Sequence, residues 1–332
     1  MRLFRQWLLS SNRNEVIPIR YGLPYKGSKN GIALWIVNNL PPAECFVDLF
    51  CGGGAVTHAA MLSSKWERFI MNDIDGRLPI LFRDCAYGKY TTKTHPEWID
   101  RATFNARKHD DAYIALVWSF GNNGKDYLYG ADIEEFKHAY HQLVFDSVTY
   151  PIRQFGYVIK LSHSDDVIRR YYYYKDQIRK QTTDKHLGAY PFDLDSTTRQ
   201  IEIERLQSLQ SLQSLQSLQS LQSLQSLQSD YRLVSIPQNA LIYCDIPYAD
   251  TNCGKYDGFD HDAFYAWAVE QDNIFISEYT MSEPFIEIAS TQKSVLSTAN
   301  GDSGKVTEKL WTNPKTYARY GGICCDRQLT LF

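Results

Sequence analysis

The sequence predicts an α/β fold, with an open, mainly parallel sheet interrupted by a long and mainly helical insertion. Three observations lead there. Residues 45–54, CFVDLFCGGG, read as a buried strand running into a glycine turn. AVTHAAML follows with helix-forming character, and RFIMND, Arg68 to Asp73, reads as a second strand. Strand, glycine turn, helix and strand form a βαβ unit, which implies parallel pairing. Strand signals lapse over 86–200 and return at ALIYCD, at NIFISEY (Asn273 to Tyr279) and, more weakly, at QKSVLST near 292–298.

The insertion has a different texture. Around 131–146 the stretch IEEFKHAYHQLVF spaces apolar residues by three and four, which predicts a helix. Residues 151–188 hold eight Lys or Arg against four Asp, together with the run Tyr171 to Tyr174. This is a local basic, aromatic patch in a chain of net charge -3. A packing role suits the tyrosine run better than base stacking. The basic residues suit phosphate contacts and a solvated face equally well.

LQS then repeats eight times, from Leu206 to Ser229. On an ideal α-helix a three-residue period falls behind by about 60° per unit, so the leucines circle the axis and no heptad seam forms. Leu and Gln favour helix and Ser opposes it only mildly. The expectation is a helical spacer in which two or three leucines at a time touch a core. A three-residue unit is also a nine-nucleotide unit if codons are reused, so replication slippage suits its length.

Composition narrows the class. A chain of 332 residues with 44% hydrophobic and 22% charged content is an ordinary globular one. There is no global basic signature, so a nucleic-acid partner must be met by a local surface. No apolar run reaches the roughly 18 residues of a membrane span, and none is expected. The N-terminal MRLFRQWLLSS is too short and broken for a signal peptide. Seven cysteines, with no CxxC pair, argue against a zinc site or disulfide framework and suit a reducing cytoplasm.

Ligands of open α/β sheets bind at the carboxyl ends of strands. Asp48, Gly52, Gly53, Gly54, Asp73 and Asp245 fall at or near such ends. Glycines allow close approach to a ligand, and an acid ending the second strand can accept from ribose hydroxyls. A plain tight turn would also use such glycines. Thr57 occupies the third glycine position of a dinucleotide GxGxxG, which shifts the expectation from a nicotinamide dinucleotide toward S-adenosylmethionine.

Asp245-Ile246-Pro247-Tyr248 adds the chemistry. The exocyclic amine of a base is a poor nucleophile, because its lone pair is delocalised into the ring. The Asp245 carboxylate and a neighbouring backbone carbonyl, that of Ile246, can hold this amine and favour a tetrahedral nitrogen. Pro247 removes a backbone donor and stiffens the turn. Tyr248 can stack on an extruded base, whose extrusion costs a few kcal/mol. An ordinary strand-ending turn capped by Asp245 is the plain alternative.

PYKGSK, DLFCGGGAV and DIPY, in that order, resemble the Dam-type, alpha-group adenine-specific DNA methyltransferases. The resemblance covers about 21–80 and 230–330. It implies a Rossmann-like S-adenosylmethionine-dependent methyltransferase sheet with halves at 1–85 and 233–332. It also implies a target-recognition insertion at 86–200, with the repeat at 201–232 as spacer. Tyr25, Lys29, Asp48, Phe50, Gly52 to Gly54, Asp73 and Asp245 are then the cofactor residues, with Lys29 near the methionine carboxylate and Asp73 on the ribose. Asp245 to Tyr248 are the catalytic residues. FISEY matches the family's next strand and EKLW, near 308–311, its closing segment. Asn122, Asn123 and Lys125 in SFGNNGKDYLYG are DNA-contact candidates, although a solvated loop suits them equally. Arg169, Arg170 and Lys175, with Lys160, Arg179 and Lys180, are the phosphate candidates. The family pattern is D-P-P-Y, and Ile246 replaces its first proline. This implies lost rigidity, with activity retained and turnover slowed.

The resemblance implies methyl transfer to adenine N6 in a short site of double-stranded DNA by base flipping. The enzyme is expected to be a metal-free, cytoplasmic monomer, with a cognate restriction endonuclease as a possible companion. Other acceptors on the same fold are cytosine N4, an RNA base or a protein glutamine. An inactive DNA-binding relative is the reading from another class.

Overall fold

The computed structural model describes residues 20–183, 202–216, 218–248, 258–296 and 303–325. The N-terminal MRLFRQWLLSS and Cys253 lie outside these residues, and Cys45, Cys51, Cys85 and Cys244 are buried free thiols.

Seven strands form one sheet in the order β3-β2-β1-β4-β5-β7-β6. The strands are β1 Cys45–Asp48, β2 Arg68–Asp73, β3 Leu224–Gln228, β4 Leu241–Asp245, β5 Ile274–Glu278, β6 Ile286–Leu296 and β7 Ser303–Thr312. The first five are parallel to one another. β7 runs antiparallel to both β5 and β6. This is a mixed, Rossmann-like sheet whose reversed strand lies near one edge. The central strands are buried on both faces, as parallel strands must be. Side chains alternate between the faces with period two. Phe46, Phe69, Met71, Leu241, Tyr243 and Phe275 feed one core. Cys45, Val47, Ile70, Ile242, Cys244 and Ile276 feed the other.

The expected helix near 131–146 is Glu134–Asp146. It lies among other helices, including Arg101–Arg107, Ala112–Val117 and Val167–Thr183, and no strand occurs among the described residues from 86 to 183. Phe104, Trp118, Tyr140, Tyr171 and Tyr174 share one continuous core with Phe46 and Phe82. The helices therefore lean directly on the sheet. Two of the four consecutive tyrosines, Tyr171 and Tyr174, are fully buried, as spacing by three on a helix dictates.

The LQS repeat departs from the expected helical spacer. It begins as the α-helix Glu202–Ser211 and tightens into a 3₁₀ turn at Leu212–Leu215. It then forms a short helix at Gln219–Gln222 and ends as β3. The 3₁₀ turn has three residues per turn, which is the period of the repeat, so the leucines stop drifting. Leu206, Leu209, Leu212 and Leu215 are all buried in one core. In β3 the same spacing does the opposite. Residues three apart point to opposite faces, and Leu224 packs on one core while Leu227 packs on the other. The repeat serines are used as well. Ser214 Oγ lies 3.3 Å from His58 Nε2, and Ser223 donates to the Glu67 carbonyl at 2.7 Å.

Leu212→Ala should therefore lower unfolding free energy by about 2–5 kcal/mol, as for a fully buried leucine. Gln225→Ala, at an exposed strand position, should stay within about 0.5 kcal/mol of the parent. Urea unfolding of the two variants checks both values.

Candidate active site

Asp48, Asp73 and Asp245 are the last residues of β1, β2 and β4, three neighbours in the sheet. Between β1 and the helix Ala55–Ser63 the chain makes a tight glycine loop. The Cys51 amide donates to the Asn72 carbonyl at 2.9 Å, and the Gly54 amide to the Cys51 carbonyl at 2.7 Å. Gly54 has φ 68°, and a Cβ there would lie 2.6 Å from the Phe82 ring. A Cβ on Gly53 would lie 2.8 Å from that of Tyr25. The loop is thus glycine because other parts of the chain close over it. The covering segment is 21–29. Its Leu23 amide donates to the Gly53 carbonyl at 2.7 Å, and its Gly22 amide donates to His58 Nδ1 at 3.0 Å. His58 is a buried bridge between this segment and the repeat, as a packing residue should be.

Asp73 and the central acid, Asp48, differ. Asp73 accepts from the amides of Gly52 and Asp75, both at 2.9 Å, and so ties the glycine loop to the end of β2. Asp48 Oδ2 accepts from Thr57 at 2.7 Å, while Oδ1 is buried without a normal hydrogen bond. Burial, reinforced by the charges of Asp245 and Asp73, pushes the Asp48 carboxyl up to about 7, although Thr57 and the nearby Phe50 amide pull the other way. Burial pulls the His58 imidazole down to about 3.

Asp245 is held by Lys29, whose ammonium lies 2.7 Å from its carboxylate. The resemblance implies that Lys29 lies near a methionine carboxylate. In the structure its partners are Asp245 and, at 3.6 Å, Glu308 of β7. Lys29 is buried, which lowers its pKa, but the two acids outweigh this and hold it above the ordinary lysine value. The same ammonium sits 4.5 Å from the centre of the Tyr248 ring. The Tyr248 hydroxyl donates to Glu308, and Tyr279 packs edge-on against its ring at 4.5 Å. Burial first, then Asp245 and Glu308, keep that phenol protonated. Ile246 is 2% exposed and packs in the second core, so packing stiffens the turn where a proline ring would otherwise do so. The Pro247 carbonyl accepts from His261 Nε2 at 2.7 Å.

Glu308 was not singled out from the sequence, although EKLW was. A signal existed, because Val306, Glu308 and Leu310 share one face of β7 and an acid between two inward apolar residues breaks the alternation.

A cleft of about 1040 Å³ joins these groups. Tyr25, Lys29, Asp48, Phe50, Gly52, Gly53, Asp73 and Asp245 to Tyr248 line it, whereas Gly54 lies behind the loop against Phe82. Asn122, Asn123 and Lys125 line its far rim. The two asparagines shape their own loop. Asn122 donates to the Leu116 carbonyl at 2.8 Å, and the Asn123 side chain accepts from the amides of Lys125 and Asp126. The loop is anchored by Arg205, a buried residue just before the repeat, which donates to the carbonyls of Val117 and Ser119 at 2.6 Å. Arg169, Arg170 and Lys175 lie on the helix Val167–Thr183 and do not line the cleft. Arg170 donates to the Phe145 carbonyl at 3.1 Å and Lys175 to the Tyr171 hydroxyl at 2.9 Å, while Arg169 is exposed.

Among the described residues no cluster of three or more His, Cys, Asp or Glu could hold a metal ion, and no helix is long and apolar enough to cross a membrane.

A Rossmann-like sheet with a glycine loop and three acids at adjacent strand ends defines a methyltransferase-type catalytic domain. The chain belongs to the D12 class N6 adenine-specific DNA methyltransferase family, whose sequence model matches residues 25–275. It is therefore an adenine-specific DNA methyltransferase acting on DNA. No curated protein matches the chain significantly.

The two shifted groups oppose each other in acid. The unfolded chain protonates His58 near 6.5 and the native protein only near 3, so His58 removes stability as pH falls through that window. Native Asp48 takes up its proton near 7 and the unfolded chain near 3.8, so Asp48 adds stability as pH falls. Each slope is at most about 1.4 kcal/mol per pH unit. Relative to the parent, His58→Gln should gain stability on acidification between about pH 6.5 and 4 and Asp48→Asn should lose it. Urea midpoints across that range test both signs.

Proposed function

We propose that the cleft binds S-adenosylmethionine and receives an adenine turned out of double-stranded DNA, whose N6 accepts the methyl group. The observation that carries this reading is the shared cleft, in which the Lys29–Asp245 pair faces the same space as the glycine loop and Asp48. The cofactor supplies an electrophilic methyl group on a sulfonium. The residues present fit it. The buried Asp48 Oδ1, without a normal hydrogen bond, suits a cationic or donor group, and Tyr25, Gly52 and Gly53 line the same cleft. Asp73, already fastening the loop, retains lone pairs for ribose hydroxyls.

On the substrate side, Asp245 and the Ile246 carbonyl accept the two N6 hydrogens and aim the lone pair. Tyr248 bounds the base, with its ring fixed by Lys29 and Glu308. Orienting two reactants in this way is worth up to roughly 7–11 kcal/mol. Extruding the base costs a few kcal/mol, which contacts in the cleft offset. The loop at Asn122 to Lys125 meets DNA across the rim through Lys125 and its backbone amides. The helices from 86 onward carry target recognition, with exposed Arg169 on phosphate.

Expression in a host lacking adenine methylation, followed by single-molecule sequencing of its DNA, tests the reading. N6-methyladenine at one short motif is the expected result, and its absence from a folded, soluble protein would overturn it. Asp245→Ala should lower turnover at least about 100-fold while cofactor binding stays measurable by titration.

A further inference from the structure

Glu308 has no assigned part in methyl transfer, yet it is the most thoroughly enclosed acid beside the reacting groups. Its side chain is fully buried. One oxygen receives the Tyr248 hydroxyl and lies 3.6 Å from the Lys29 ammonium, and the other is buried without a hydrogen bond among the described residues. Enclosing a carboxylate is costly unless its charge is used.

Counting charge shows the use. Lys29 lies 2.7 Å from Asp245, close enough for one charge to cancel the other. With Glu308 included, two carboxylates share one ammonium and the group carries a net negative charge. The reaction needs that charge. The N6 lone pair forms the new N–C bond while the C–S bond breaks with its electrons going to sulfur. Positive charge thereby passes from sulfur to N6, and the N6 proton leaves to solvent afterwards. A neutral Lys29–Asp245 pair would face this forming cation with a dipole, whereas the three-group cluster faces it with a net anion.

We propose that Glu308 is a positioning residue that offsets the Lys29 ammonium and fixes the Tyr248 ring, leaving the charge of Asp245 for the cation that forms on the adenine amine. The proposal rests on the methyl-transfer reading above. It concerns the chemical step and not cofactor capture, because Glu308 does not line the cleft.

Steady-state kinetics on an oligonucleotide carrying the methylated motif test it. Glu308→Gln keeps the shape and removes the charge. It should lower kcat at least about tenfold, with KM for S-adenosylmethionine within about threefold of the parent. Glu308→Asp, which keeps the charge, should recover much of the loss. In a Lys29→Met background no ammonium needs offsetting, so adding Glu308→Gln should change kcat by less than about threefold. Equal losses with and without Lys29, or an Asp variant as slow as the Gln variant, would overturn the proposal. If the single Gln variant fails to fold, the double variant, which removes both buried charges, is expected to fold and to match Lys29→Met. A double variant that is tenfold slower than Lys29→Met, or that does not fold, counts against the charge-offset role. Absence of N6-methyladenine with the parent protein would remove the methyl-transfer reading itself. Methylation with an unaffected Gln variant would remove only the role of Glu308.

Discussion

One buried ammonium organises the catalytic side of this molecule. Lys29 belongs to the segment laid over the glycine loop, Asp245 ends β4, and Glu308 sits within β7. A buried charge must be paired, and stripping one partner from such a group is strongly destabilising. The pairing therefore does more than join two side chains. It fastens the covering segment to the sheet from which the acids project and holds the Tyr248 ring in its place. Closure over the glycine loop, the shape of the cleft and the position of Asp245 all depend on where Lys29 finds its carboxylates.

The opposite wall depends on a weaker but longer tie. Gly22 donates to His58, and His58 reaches Ser214 in the repeat. Arg205, just before the repeat, holds the carbonyls from which the Asn122–Lys125 loop departs. The low-complexity segment thus shapes the cleft from behind. Its eight identical units take several conformations because the surroundings differ. Over Leu212–Leu215 a common buried face favours three residues per turn, and beside β2 the open sheet edge offers strand hydrogen bonds. Local sequence cannot decide between these, since it is the same in each unit.

The electrostatics at the strand ends are set by burial and by the crowding of acids. Asp48 is raised toward neutrality by burial beside Asp73 and Asp245, and one of its oxygens is buried without a normal hydrogen bond. Three acids at adjacent strand ends repel one another, and Lys29 pairs with Asp245 while backbone amides hold Asp73.

The sequence by itself determined β1, β2, β4 and β5 and put Asp48, Asp73 and Asp245 at strand ends. Continuous apolar runs closed by Asp48, Asp73 and Asp245 mark strand ends, and a glycine turn followed by a helix-forming stretch marks a βαβ unit, because both signals are local. The helix at Glu134–Asp146 was legible for the same reason. Only the tertiary structure decided the rest. Glu308 joins the site because β7 inserts antiparallel between β5 and β6, and no local pattern gives a strand its neighbour. Lys29 chose Asp245, and Ile246 found a core to fill, through contacts between distant parts of the chain. Tyr171 and Tyr174 went inward while Tyr172 and Tyr173 stayed partly exposed, since the side a helix buries depends on what packs against it. The repeat gives the sharpest contrast. Its period excluded a heptad seam outright, but whether a unit became helix or strand was decided by the surface it met.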